Sequence, residues 1–171
     1  MSEYHWRRTA INAALSLGLS LCCAAPTYAA PAAGLLNGRY AVTRFNDQKT
    51  GTSLAASQQE SASTDVYDFV TSCSTGTCVA TIVDGPAPKN PTIPQPPRYS
   101  WDGTKWVEIF NWQWDCLRPD GATEWNPARS EGVYRLQPDR SLIGQSHTDI
   151  WSGTCQGTVD LPVAAVPTES S

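Results

Sequence analysis

Arg98-Tyr-Ser-Trp-Asp-Gly-Thr-Lys-Trp-Val-Glu-Ile-Phe-Asn-Trp-Gln-Trp-Asp-Cys116 decides the fold of this 171-residue chain. Asp102-Gly103 is a strong two-residue hairpin signal between two runs rich in aromatic and β-branched residues. A hairpin closed there sets position 101 against 104 and 99 against 106, which places Tyr99, Trp101 and Trp106 on one face. Beyond it, Phe110, Trp112, Trp114 and Cys116 alternate with polar residues, the period of a strand with one buried face. A single strand from 104 to 116 would run about 40 Å at roughly 3.3 Å per residue. A bulge or corner is therefore expected near Val107 to Ile109, where apolar residues fall on both faces.

Outward from this segment the same grammar repeats. Gly38 to Phe45, Val66 to Cys73 and Cys78 to Val83 read as strands, and so do a short piece at Glu124 to Asn126, Gly132 to Leu136, Leu142 to Ile150 and Thr154 to Val159. Turns at Pro119-Asp120-Gly121, Pro138-Asp139 and Ser152-Gly153 separate the later ones. Residues 46 to 64 read as loop with a weak strand around Thr52 to Ala55. Prolines at 86, 88, 91, 94, 96 and 97, six of the chain's 13, keep residues 86–97 out of any sheet and make them an extended connector. No helical periodicity is present beyond the N-terminal segment. The expectation is one all-β domain, a single antiparallel meander of about eight strands forming a barrel or a sandwich.

The N-terminus carries an address. Arg7 and Arg8 precede an apolar run from Ala10 to Ala25, and Thr27-Tyr28-Ala29 offers small residues where a signal peptidase reads. Residues 1–29 are expected to be a signal peptide, leaving a secreted domain of residues 30–171 that is extracellular or associated with the cell envelope. Leu21 before Cys22 speaks against lipidation at that cysteine, and the residues around Arg7-Arg8 match a twin-arginine signal poorly. Of 12 basic and 16 acidic residues, cleavage removes Arg7, Arg8 and Glu3, leaving 10 and 15 and a net charge of about −5. Scattered basic residues on an acidic chain argue against nucleic acid. No second apolar run has the roughly 20 residues a membrane span needs.

Four cysteines remain, an even number in an exported chain, and so two disulfides are expected. Cys73-Ser-Thr-Gly-Thr-Cys78 reads as a tight hairpin whose ends meet, giving Cys73–Cys78 and, by elimination, Cys116–Cys155. One histidine after the signal and no paired C-x-x-C argue against zinc or any other metal. No glycine-rich phosphate loop or cofactor motif occurs.

Reactive constellations are sparse. His147 in Gln145-Ser-His-Thr-Asp-Ile-Trp151 is the single candidate catalytic base, sharing a strand face with Asp149 while Ser146 and Thr148 point the other way. Glu108, Asp115 and Glu124 would form a glycosidase pair only if the fold brought two of them together. The aromatic cluster Tyr99, Trp101 and Trp106 is the candidate binding surface, with Trp101 nearest a hairpin tip; Trp125 is a weaker candidate of the same kind.

Cys73-Ser-Thr-Gly-Thr-Cys78-Val-Ala, Trp112-Gln-Trp-Asp-Cys116-Leu-Arg-Pro-Asp-Gly121 and His147-Thr-Asp-Ile-Trp-Ser-Gly-Thr-Cys155-Gln-Gly, with the signal peptide, resemble small secreted mycobacterial-type proteins of unassigned function. The resemblance implies an exported, disulfide-bonded β domain and assigns no catalytic or binding residue. Gly38-Arg-Tyr40 is similar to the opening of the first lipocalin strand, which keeps a barrel among the options. The function expected from these readings is a non-enzymatic binding domain for a protein, lipid or carbohydrate partner; the alternative is a secreted hydrolase using His147 with a nearby carboxylate.

Overall fold

Eight antiparallel strands close on themselves in sequence order in the computed structural model, which describes residues 35–74 and 76–168. They are β1 (Gly38–Arg44), β2 (Ser63–Ser72), β3 (Val79–Asp84), β4 (Arg98–Trp101), β5 (Trp106–Leu117), β6 (Thr123–Leu136), β7 (Leu142–Ile150) and β8 (Gly157–Pro167), and β8 returns to pair with β1. The fold is a barrel rather than a sandwich. The signal-peptide reading falls on residues 1–29, outside the described residues.

Alternation sends one side of every strand inward. Tyr40 and Val42 on β1, Phe69 on β2, Ala80 on β3, Tyr99 on β4 and Trp106 on β5 all meet in a buried cluster toward one end, which Leu36 closes. A second cluster at the other end joins Cys116, Ala128, Ile150, Cys155 and Val159. Its lid is a short helix, α1 (Leu54–Ser57), which buries Ala55 and packs Leu54 and Ala56 beside Trp112 and Trp114. The weak strand expected at Thr52 to Ala55 is therefore partly helix. Ser53 accepts the Ala55 N–H as an N-cap, and Leu-Ala-Ala-Ser is a run of helix-tolerant residues.

Two further expectations need correction. The hairpin loop has four residues: Trp101 pairs with Trp106 and Ser100 with Val107. Asp102 folds it by accepting the Thr104 and Lys105 N–H groups on Oδ1, an Asx turn that outcompetes the tighter Asp-Gly turn. The inward parity of Tyr99, Trp101 and Trp106 is unchanged. The bulge expected near Val107 to Ile109 is absent, since β5 pairs with β6 residue for residue from Trp106↔Tyr134 to Leu117↔Thr123. A tilted barrel strand accommodates that length by coiling, and Val107 and Ile109 face outward.

Pro127 lies inside β6 without breaking it. Its partner Gln113 turns its own N–H away from β6, so the side of Pro127 that lacks a donor faces β7 just where β7 ends, and its carbonyl accepts the Trp151 N–H. Residues 85–97 are a clasp. Asn90 donates to the Gln113 carbonyl (2.8 Å) and to Asp115 (2.9 Å), and Thr92 accepts the Gln113 N–H (3.0 Å), so the loop satisfies a stretch of β5 that no strand covers. Both disulfides are formed as expected, Cys73–Cys78 and Cys116–Cys155.

Candidate functional site

Strand pairing lapses in one section of the wall. β2 pairs with β3 only from Asp68 onward, β4 pairs with β5 through two residues, and the stretch between the start of β2 and the body of β5 is crossed by the 85–97 loop instead of a strand. At this height, between the two core clusters, the inward-facing residues are Arg44, Asp65, Tyr67, Glu108, Phe110, Gly132, Ser146 and Leu161. All are only half-buried. In a barrel packed through its middle they would be sealed; here solvent reaches the waist.

The waist is polar by construction. Arg44 donates through Nη1 to Asp65 (3.1 Å) and through Nη2 to the Tyr67 hydroxyl (3.1 Å), with its guanidinium carbon 5.4 Å from the Tyr67 ring centre. Glu108 stands opposite Gly132 on β6. Burial pushes the Glu108 carboxyl up to about 7, against the pull of the neighbouring Tyr99 hydroxyl, the Arg98 backbone and Arg44, which favour its charged form. Tyr99 and Tyr134, whose ring centres lie 5.2 Å apart, form the side nearest the upper core, and burial raises both phenols, Tyr134 to about 12. Below Glu108 runs an aromatic row on β5, with ring centres 6.2 Å apart for Phe110 and Trp112 and 5.2 Å for Trp112 and Trp114. The Trp112 indole donates to Ser130, which bonds Thr148 in turn.

The aromatic cluster read from sequence is divided. Trp106 is fully buried and Tyr99 is 8 % exposed, so both belong to the core, although the Tyr99 hydroxyl reaches the waist through Glu108. Trp101 is half-buried at the barrel end, 5.3 Å from Trp106. It also borders an open groove of about 490 Å³ on the outer wall, lined by Arg98, Lys105, Val107, Ile109 and Glu131 among others. Trp125 projects from β6 with half its surface exposed.

His147 lies on the outer face of β7. Its Nδ1 is 2.8 Å from Asp160 and its Nε2 3.4 Å from Asp149, while Ser146 and Thr148 alternate to the interior. The imidazole is bracketed by carboxylates, and neither neighbouring hydroxyl can be activated by it. The hydrogen bond that His147 donates to Asp160 raises the His147 pKa above 6.5. A raised pKa stabilises the fold below pH 6.5, and that contribution is lost as pH rises through the raised value. With His147 and Asp149 over a third exposed and Asp160 30 % exposed, screening holds the effect to under about 1 kcal/mol. Urea titrations of His147→Gln are expected to show a small loss at pH 5.5 and coincidence with wild type at pH 8.5; equal losses at both would remove the ion pairs from the account.

The three carboxylates do not converge. Asp115 faces outward to Asn90, and Glu124 binds Thr154 at the barrel end. Seven or eight strand residues separate them from Glu108, about 23–26 Å at 3.3 Å per residue, far beyond the reach of a glycosidase pair. Among the described residues no group of three His, Cys, Asp or Glu side chains is placed to hold a metal ion, and no helix is long and apolar enough to cross a membrane. Arg44 is not among the residues singled out from sequence, and Glu108 is singled out only as a possible half of a glycosidase pair. Their signal is a charge at inward parity, in Tyr40-x-Val42-x-Arg44 and in Trp106-x-Glu108-x-Phe110.

A model of the PknI serine/threonine-protein kinase sensor domain matches residues 32–170. The barrel is similar to the monomer form of the M. tuberculosis PknI sensor domain, with a TM-score of 0.57 and 18 % identity, covering 79 % of this chain and 88 % of that one. It is also similar to the dimer form of that domain, with a TM-score of 0.50 and 21 % identity, covering 68 % and 83 %. No curated protein matches the chain.

Proposed function

Because this chain belongs to the family of PknI serine/threonine-protein kinase sensor domains, we propose that it is a non-enzymatic sensing domain, exported by residues 1–29 and working outside the cell or at its envelope. The similar solved structures are two forms of one M. tuberculosis domain, in keeping with the mycobacterial-type resemblance, and the family's description as a sensor domain supports a sensing role. The observation that supports ligand binding most directly is the waist. A barrel packed at both ends keeps a solvent-reached middle lined by an ion pair, a carboxyl and aromatic faces, the mixture that small-molecule sites use. His147 offers no nucleophile, which favours binding over hydrolysis.

Within this reading Trp101, at the barrel end beside Trp106, is a second contact surface apart from the waist, and Tyr99 and Trp106 pack between the two. Native mass spectrometry of protein collected from the medium is expected to show a chain beginning at Ala30, two disulfides and a non-covalent partner. Trp101→Ala is expected to fold normally, since its side chain is half-exposed, and to retain at most about a tenth of that binding, the order of loss for one contact aromatic. Full occupancy in the variant would take Trp101 out of the site, and a bare wild-type chain that binds nothing added back would count against sensing.

A further inference from the structure

We propose that the waist of the barrel is a binding site for a neutral saccharide, held by stacking on Phe110 and by hydrogen bonds to Arg44, Asp65, Tyr67, Glu108 and Ser146. This assignment rests on the sensing reading and narrows it to a ligand class. Charge is the first constraint. Arg44 is matched by Asp65 at 3.1 Å, and burial raises the Glu108 carboxyl to about 7, so below that pH the waist carries little net charge. An anion on Arg44 would meet the Asp65 carboxylate beside it. A cation would seek an aromatic face, but the Arg44 guanidinium already lies 5.4 Å from the Tyr67 ring centre.

Hydrogen-bonding capacity is the second constraint. A guanidinium has five N–H groups, and Arg44 makes two side-chain bonds here, to Asp65 and Tyr67. Ser146 adds a hydroxyl facing the waist. An acyl chain placed against these groups would leave them unsatisfied, which selects against lipid. A ligand with many hydroxyls can donate to and accept from all of them.

Shape is the third. A pyranose ring has an apolar face of C–H groups and a rim of hydroxyls, and the waist offers both kinds of partner: Phe110 and Leu161 are apolar, and the ion pair and Glu108 are polar. Phe110 faces inward, is half-buried and belongs to neither core cluster, which leaves part of its ring for a ligand beside its contact with Trp112. Small residues hold the space open. A Cβ at Gly132 would meet Tyr99 and Glu108 at 3.8 and 3.9 Å, ordinary contact, whereas a branched side chain there would fill the volume that the ring is to occupy.

The test is an amide and indole NMR titration of the oxidised protein with maltose, cellobiose and chitobiose, against choline and hexanoate at the same concentrations. At least one disaccharide is expected to shift the Phe110, Gly132 and Ser146 amides. Phe110→Ala and Gly132→Val, each checked for a native-like spectrum, are expected to weaken it tenfold or more, while His147→Gln on the outer face leaves it unchanged. If choline or hexanoate moves those amides and no disaccharide does, the saccharide assignment fails and the sensing reading stands. If none of the five moves them, the waist is not a ligand site and both readings of it fall. Should either variant lose its spectrum, the other and the wild-type shift map decide.

Discussion

Replacing Cys116 and Cys155 together with alanine lowers the stability of the domain by about 4 kcal/mol, the chain-entropy value for a loop closed across 39 residues. The structure gives two reasons to expect the full amount. Both half-cystines are completely buried in the lower cluster, so the substitution also removes packed sulfur from the wall beside Ala128 and Ile150. In addition, the Cys155 carbonyl accepts the Ser53 hydroxyl at 2.6 Å, and Ser53 caps α1. Loosening the 155 loop therefore frees the helix that closes the barrel over Trp112 and Trp114. Opening the Cys73–Cys78 bridge is a useful comparison, because it spans a separation of only five residues, with Cys73 exposed and Cys78 buried in the upper cluster, and the same model gives about 2 kcal/mol. Urea unfolding followed by tryptophan fluorescence measures both. A loss under about 1 kcal/mol for the 116–155 pair would mean that α1 and the surrounding ladder hold the barrel end without the crosslink.

What the sequence made legible follows from how local each signal is. The alternation from Phe110 to Cys116 needs no knowledge of the rest of the chain, and β5 carries all four residues inward. The short cysteine hairpin was equally local. The Asp102 loop was misjudged because an aspartate side chain can build a wider turn than the dipeptide suggests, and only hydrogen bonds to Thr104 and Lys105 distinguish the two. Helix α1 had a readable signal, Ser53 before Leu-Ala-Ala, that was outweighed by the β character of everything around it. The waist was out of reach for a different reason. Arg44 and Glu108 are brought to one level by closure of the barrel across 64 residues of chain, and neither sits in a motif. The surrounding apolar alternation instead labels each as an interruption of a strand, and an interruption acquires meaning only when a second one arrives opposite it. The same holds for His147, whose predicted face-sharing with Asp149 was correct but whose closest partner, Asp160, comes from β8.

Glu108→Gln is expected to stabilise the protein, and by an amount that depends on pH in one direction. The wild-type carboxyl has a folded pKa of about 7 against an ordinary 4.5 because it is buried between Tyr99 and Gly132. Below pH 4.5 it is protonated in both folded and unfolded chains, and glutamine in its place changes little. As pH rises from 4.5 to 7 the unfolded chain ionises while the folded chain resists, so wild type loses stability through this window and the loss levels off above it. At 1.36 kcal/mol per pH unit the full gap is about 3 kcal/mol, and the variant should recover most of it above pH 7. Denaturation midpoints measured from pH 4 to 9 should therefore diverge between 4.5 and 7 and run parallel on either side; curves parallel throughout would show that solvent at the waist already hydrates the carboxylate. Held protonated, Glu108 can donate and accept at once, and under the proposed saccharide reading a ligand hydroxyl is a partner that takes both bonds without demanding a charge.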